Sequence, residues 1–107
     1  MMDGLVSIII PTYKGYDTLG RSVKSVLEQS YKNIEIIIVD DNGEGSENQI
    51  KTEDVLKSFL VDERVKYIKH KKNLNGSAAR NTGFRHSNGE FIAFLDDDDE
   101  FLYISIE

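Results

Sequence analysis

Two runs of nearly uninterrupted apolar residues stand out along the chain, Leu5-Val6-Ser7-Ile8-Ile9-Ile10 and Ile34-Glu35-Ile36-Ile37-Ile38-Val39. Both are rich in β-branched side chains and neither alternates with polar residues. This pattern predicts strands covered on both faces, as in parallel sheets with helices on each side. Phe91-Ile92-Ala93-Phe94-Leu95 reads the same way. Val65-Lys66-Tyr67-Ile68-Lys69 alternates and carries lysines, which predicts an edge strand.

Helical spacing fills the intervals. Leu19, Val23, Val26 and Leu27 form an i, i+4, i+7, i+8 stripe that Asp17 or Thr18 can cap. Ile50, Val55, Leu56, Phe59 and Leu60 predict a second helix after the polar stretch from Asn42 to Asn48. A third is predicted from about Ser77 to Ser87, with Gly76, Ala78, Ala79 and Gly83 small enough for close approach to a sheet and Asn88-Gly89 as its stop. Strands and helices alternate from the first strand to the fourth. That order implies right-handed crossovers and an α/β, Rossmann-like fold with a mainly parallel sheet and helices on both faces.

Composition narrows the class. The 107 residues make one domain, and 39% hydrophobic residues supply a core, while one proline and no repeat argue against disorder. A net charge of −6 excludes general attraction to nucleic acid or to an anionic membrane. The lysine-rich run Lys66, Lys69, His70, Lys71, Lys72 reads as a solvated strand end. Without cysteine there is neither a disulfide framework nor a thiolate metal site. The start lacks a basic leader region, and Leu5–Ile10 is too short for a signal peptide or a membrane span, so a cytoplasmic location is expected. A chain this acidic needs a local basic patch or a bound cation to handle a phosphorylated ligand.

Polar clusters follow three of the four strands: Pro11-Thr12-Tyr13, Asp40-Asp41-Asn42 and Asp96-Asp97-Asp98-Asp99. In an open parallel sheet, ligands bind beyond the carboxyl ends of the strands where the strand order reverses. With order 3-2-1-4 all three clusters would meet in one crevice. Adjacent carboxylates repel one another unless solvated or neutralised by a cation, and an all-oxygen cluster suits Mg²⁺ or Mn²⁺ with a diphosphate as co-ligand. The plain alternative is a solvated acidic loop; an EF-hand is excluded by the missing loop glycine and distal glutamate. Asp40-Asp41 can bind a ribose or a base, or simply cap a turn, since Asp-Asn-Gly favours one. Tyr13 can stack on a base or merely pack. His70 and His86 show no ligand spacing.

Together these segments resemble the family 2 glycosyltransferases of the GT-A fold. The resemblance is carried by Val6–Tyr13, Ser25–Tyr31, Ile38–Asp41, Gly76–Gly83 and Asn88–Asp99, in order over nearly the whole chain. It implies a metal-dependent, inverting transfer from a nucleotide-diphosphate sugar, a UDP-sugar first of all, to a glycan or other hydroxyl acceptor in polysaccharide biosynthesis. Pro11, Thr12 and Tyr13 would line the base pocket, with Tyr13 stacking on the ring. Asp41 would accept from the base N–H, which in a UDP-sugar is uracil N3–H. Asp96-Asp97-Asp98 would match the DXD motif, with Asp97 near the ribose, Asp98 on the metal and Asp96 beside it; a register from Asp97 to Asp99 also fits. Arg80 would flank the site and orient the acidic loop, or pair with one of its aspartates. Asn42 departs from the usual serine or glycine, and Phe101–Glu107 departs from the usual proline and helix.

The resemblance further implies a truncated chain, residues 1–107 forming a nucleotide-sugar-binding unit whose acceptor half and general base lie elsewhere. Such a unit would bind donor without turning it over, and the full-length enzyme could sit at the membrane periphery. A homodimer through an exposed sheet edge or the apolar tail Phe101–Ile106 is expected. The alternative class is a noncatalytic, receiver-like Mg²⁺-binding module. Such modules place an acidic pair after the first strand and a lysine after the last, and this chain has neither.

Overall fold

The structure is a computed structural model that describes residues 4–100. The expectation of dimerisation through Phe101–Ile106 falls outside the described residues. Seven elements follow one another: β1 (Val6–Thr12), α1 (Tyr16–Leu27), β2 (Ile34–Asp40), α2 (Glu47–Leu56), β3 (Val65–Lys69), α3 (Gly76–Arg85) and β4 (Phe91–Phe94). The four strands form one sheet in the order β3-β2-β1-β4, all parallel as the alternation of elements predicts. No helix among the described residues is long and apolar enough to cross a membrane.

The two apolar runs form the centre of the sheet. All seven residues of β2 are buried, and so are all of β1 except Pro11. Successive side chains alternate between two cores, because a strand has a period of two. Val6, Ile8, Ile10, Ile34, Ile36 and Ile38 face α1 and α2 through Leu19, Val23, Val26 and Leu56. Ile9, Ile37 and Val39 face α3 through Ala79. That second layer is thin, and α3 lies so close that a Cβ on Gly83 would come within 2.4 Å of Ile9 Cγ2.

Several local expectations are corrected. Helix α1 is capped by Gly15, with no side-chain cap bond, rather than by Asp17 or Thr18. The helix begins at Tyr16, which places Asp17 and Thr18 inside its first turn. The cap position is close to the acidic turn, a Cβ at Gly15 falling 2.1 Å from Asp97 Oδ2. In α2 the buried stripe is Gln49, Thr52 and Leu56, and Ile50, one position off it, is 59% exposed. Strand β4 is not buried on both faces. Among the described residues it pairs only with β1, so Phe91 and Phe94 stay largely exposed while Leu95 is buried. Helix α3 starts at Gly76 and ends at Arg85, ahead of Asn88-Gly89.

The apolar run of β2 hides one charge. Glu35 is buried, ion-paired to Lys66 at 2.7 Å and bonded by Ser7 Oγ and by the Asn88 backbone N–H at 2.6 Å. Burial pushes this carboxyl up, but the bonds from Lys66, Ser7 and Asn88 outweigh it and hold it below its ordinary 4.5. With the folded value lowered, its stabilising contribution is complete above that ordinary value and is lost as pH falls through the lowered one. Glu35→Gln should therefore flatten the acid limb of stability, seen as a smaller drop in urea midpoint from neutral to acid pH than in the unmodified protein. Gly83→Ala sets two effects against each other. Helix propensity favours alanine by about 1 kcal/mol, whereas overpacking against Ile9 costs roughly 1–3 kcal/mol. Net destabilisation is expected in urea denaturation, and a gain in stability would contradict the packing.

Candidate functional site

Parallel pairing brings the carboxyl ends of β1, β2 and β4 to one side of the sheet. The junctions between them are hydrogen-bonded. Thr12 stands opposite Asp40 in register, and the Asp41 N–H donates to Thr12 O at 2.9 Å. Thr12 Oγ1 donates to Asp97 Oδ2 at 2.8 Å, and the Lys14 N–H donates to Asn42 Oδ1 at 2.7 Å. Three segments far apart in sequence therefore share one cleft of about 360 Å³, lined by Pro11, Thr12, Tyr13, Asp41, Asn73, Asn75, Gly76, Ala79 and Asp97. Its volume lies at the lower end of small-molecule pockets, roughly 300–1,000 Å³. Pro11 and Thr12 belong to β1 itself rather than to the loop after it.

The four aspartates after β4 do not act alike. Asp97 turns inward and accepts from Thr12 Oγ1 and, at 3.3 Å, from the Tyr13 N–H. Burial pushes its carboxyl up and its neighbours Asp96 and Asp98 push the same way, against the lowering effect of the Thr12 and Tyr13 donors. Asp96, Asp98 and Asp99 turn outward and are exposed, with ligand oxygens all within 4.8 Å of one another. These are hard oxygen donors facing water at the rim of a cleft, a set that fits a divalent cation sharing its coordination with phosphate. Asp99 joins the Asp96 and Asp98 expected from sequence, and Asp97 separates from them.

Helix α1 holds this turn from behind. Thr18 Oγ1 donates to Asp97 O at 2.8 Å, and the buried Ser22 Oγ lies 2.9 Å from Asp97 O and close to Asp99 O. Arg21 pairs with Glu100 at 2.8 Å. These roles were missed in the sequence, where Thr18 and Ser22 look like ordinary polar neighbours of an apolar stripe.

The adjacent Asp40 and Asp41, both buried, divide their work. Asp40 Oδ1 accepts from the Asn42 backbone N–H at 3.0 Å and side-chain amide at 2.7 Å, and Oδ2 accepts from Tyr67 Oη. Burial and this bond push the Tyr67 hydroxyl pKa up. Asp41 lines the cleft, but its Oδ1 already accepts from Leu74 N–H and faces His70 Nδ1, each at 2.8 Å. Its Oδ2 accepts from Asn73 Nδ2 at 2.7 Å and Asn75 N–H at 3.0 Å. A carboxylate offers about four acceptor positions, so a base N–H reaches Asp41 only by displacing one of these donors.

The far wall, Asn73 to Ala79, was also missed as a binding surface, although an asparagine before a predicted helix is a capping signal. Asn75 caps α3 by accepting from the Ala78 N–H at 2.9 Å. Its backbone stands at φ 120° and ψ 171°, a region otherwise reserved for glycine, at a cost of order 1–3 kcal/mol. Tyr13 is 49% exposed, with Lys14 Nζ 5.2 Å from its ring centre. Arg80 lies on exposed helix surface beside Gly76 and, among the described residues, makes no ion pair with the acidic turn it was expected to orient.

Comparisons with known proteins converge. The model of the family described as "Glycosyl transferase family 2" matches residues 7–107. An uncharacterized glycosyltransferase of Rickettsia bellii is 39% identical over 107 residues, covering 100% of this chain and 15% of the relative. An Escherichia coli protein named UDP-Glc:alpha-D-GlcNAc-diphosphoundecaprenol beta-1,3-glucosyltransferase is 38% identical, covering 100% of this chain and 40% of its own length. The chain thus spans well under half of these relatives. The crystal structure of Staphylococcus aureus TarS in complex with UDP-GlcNAc superposes with a TM-score of 0.77 at 26% identity, covering 89% of this chain and 27% of that one.

Removing the hydroxyl at Thr12 tests the electrostatics of the inward aspartate. Thr12→Val deletes a donor that lowers the Asp97 pKa, worth about 1.5–3 kcal/mol for a bond to a charged group. An NMR titration of the side-chain carboxyl should show Asp97 moving further up; an unchanged or lower midpoint would contradict the assigned bond.

Proposed function

The chain belongs to glycosyl transferase family 2, and from that premise we propose that it forms the donor site of an enzyme transferring a sugar from a UDP-sugar to a hydroxyl of a glycan acceptor. The observation that carries this reading is the split of the acidic turn, with Asp97 facing the cleft and Asp96, Asp98 and Asp99 facing out at its rim. One carboxylate is thereby offered to the nucleoside and three to the point where a diphosphate would emerge. The relative whose name specifies UDP-Glc and the superposing structure that holds UDP-GlcNAc support the choice of donor. The same relative's name supports a diphosphate-lipid-linked glycan as acceptor.

In this reading the base enters between Tyr13 and the wall at Asn73–Gly76. The exposed Tyr13 ring gives a stacking face, and Pro11 closes the floor. Asp97, held through Oδ2 by Thr12 and Tyr13, keeps Oδ1 to accept from a ribose hydroxyl. Asp96, Asp98 and Asp99 would hold Mg²⁺ or Mn²⁺, which when bound supplies Lewis-acid stabilisation of the departing diphosphate. Transfer by attack of the acceptor hydroxyl on the anomeric carbon proceeds with inversion. Nothing favours the phosphoacceptor alternative, since β1 ends in Thr12 and is followed by Tyr13 where such a module needs carboxylates.

Titration calorimetry with UDP in the presence of Mn²⁺ tests the reading. Binding is expected, and Asp98→Ala should weaken it by at least about tenfold, or ~1.4 kcal/mol. Absence of binding at millimolar UDP by the unmodified protein would overturn it.

A further inference from the structure

Nothing in the proposed chemistry uses His70, yet it is buried directly behind the cleft wall. It follows β3, with its backbone N–H donating to Asp40 O at 2.9 Å. Its ring bridges two elements: Nδ1 lies 2.8 Å from Asp41 Oδ1, and Nε2 lies 2.8 Å from Thr82 Oγ1 on α3. Thr82 Oγ1 also accepts from Arg85 Nη2 at 3.3 Å. A carboxylate oxygen can only accept, so the short contact places a proton on Nδ1 that is donated to Asp41.

Asp41 passes that restraint to the cleft. The oxygen that His70 holds is the one that accepts from Leu74 N–H, and the other accepts from Asn73 Nδ2 and Asn75 N–H. The wall is consequently not self-supporting, because its backbone is pinned to a carboxylate whose direction a histidine fixes. Asn75 sits there in a conformation that non-glycine residues avoid, so the pinning has strain to hold.

We propose that His70 is a positioning residue of the nucleotide site, its Nδ1–H orienting Asp41 and thereby the Asn73–Asn75 wall, while its Nε2 side serves only to fasten α3. The proposal rests on the nucleotide reading above for its consequence in binding, but not for its structural content. Asparagine places an amide nitrogen where Nδ1 stands, and glutamine places its amide where Nε2 stands. His70→Asn thus keeps the bond to Asp41 and gives up Thr82, and His70→Gln does the reverse.

The test compares both variants for UDP affinity with Mn²⁺ and for hydrogen exchange of the Leu74 and Asn75 amides by NMR, in protein of measured thermal stability. His70→Asn should hold UDP affinity within about threefold, whereas His70→Gln should lose at least about tenfold, the scale expected when a donor to a buried charge is removed. Exchange at Leu74 and Asn75 should quicken in His70→Gln and not in His70→Asn, whichever variant melts lower. Equal effects of the two variants, or unchanged exchange and affinity in folded His70→Gln, would overturn the proposal. If the unmodified protein binds no UDP, the nucleotide reading alone fails, and the exchange pattern in unliganded protein still decides for or against His70.

Discussion

A carboxylate almost sealed from water, Asp41, is the constraint around which the site is arranged. Taking such a charge out of water costs several kcal/mol unless each lone pair finds a donor. Here the donors come from a histidine, an asparagine side chain and two backbone amides. Satisfying the charge therefore folds the loop between β3 and α3 into one shape. Asp40 does the same for the turn after β2, through Asn42 and Tyr67. Loops that would otherwise be free to wander over the end of the sheet are fixed by charges that cannot tolerate their leaving.

The scaffold beneath is simpler. Two strands of β-branched residues buried on both faces set the register, and register delivers Thr12, Asp40 and the acidic turn to the same end of the sheet. The acidic turn is then clamped from behind by Thr18 and Ser22 and abuts Gly15, where an added Cβ would fall 2.1 Å from Asp97 Oδ2. Backbone carbonyls of the turn are held while, among the described residues, three of its carboxylates bond to no side chain, a division suited to rigid presentation of flexible ligands.

Much of this was legible in the sequence, and the boundary is physical. Continuous Ile and Val runs announce central strands, and the alternation of elements announces a parallel sheet, because both depend on local pattern. The meeting of Pro11–Tyr13, Asp40–Asp41 and Asp96–Asp99 followed from topology alone. What stayed hidden depends on partners distant along the chain. Asp41 reads as a ligand until His70 and Asn73–Asn75 are seen around it. Glu35 reads as an interruption in a strand until Lys66, Ser7 and Asn88 close on it. Ile50 reads as core because its apolar character is visible and the one-position offset from Gln49, Thr52 and Leu56 is not.

The two sides of the cleft answer to different surroundings. Asp96, Asp98 and Asp99 crowd like charges at the solvent boundary, where counterions screen repulsion over about 8–10 Å at ordinary ionic strength. Asp41 and His70 are buried beneath the wall, where such screening is much weaker. Salt concentration thus acts first on the rim and least on the buried carboxylate that pins the wall, so the molecule keeps a fixed template on one side and an ion-responsive lip on the other.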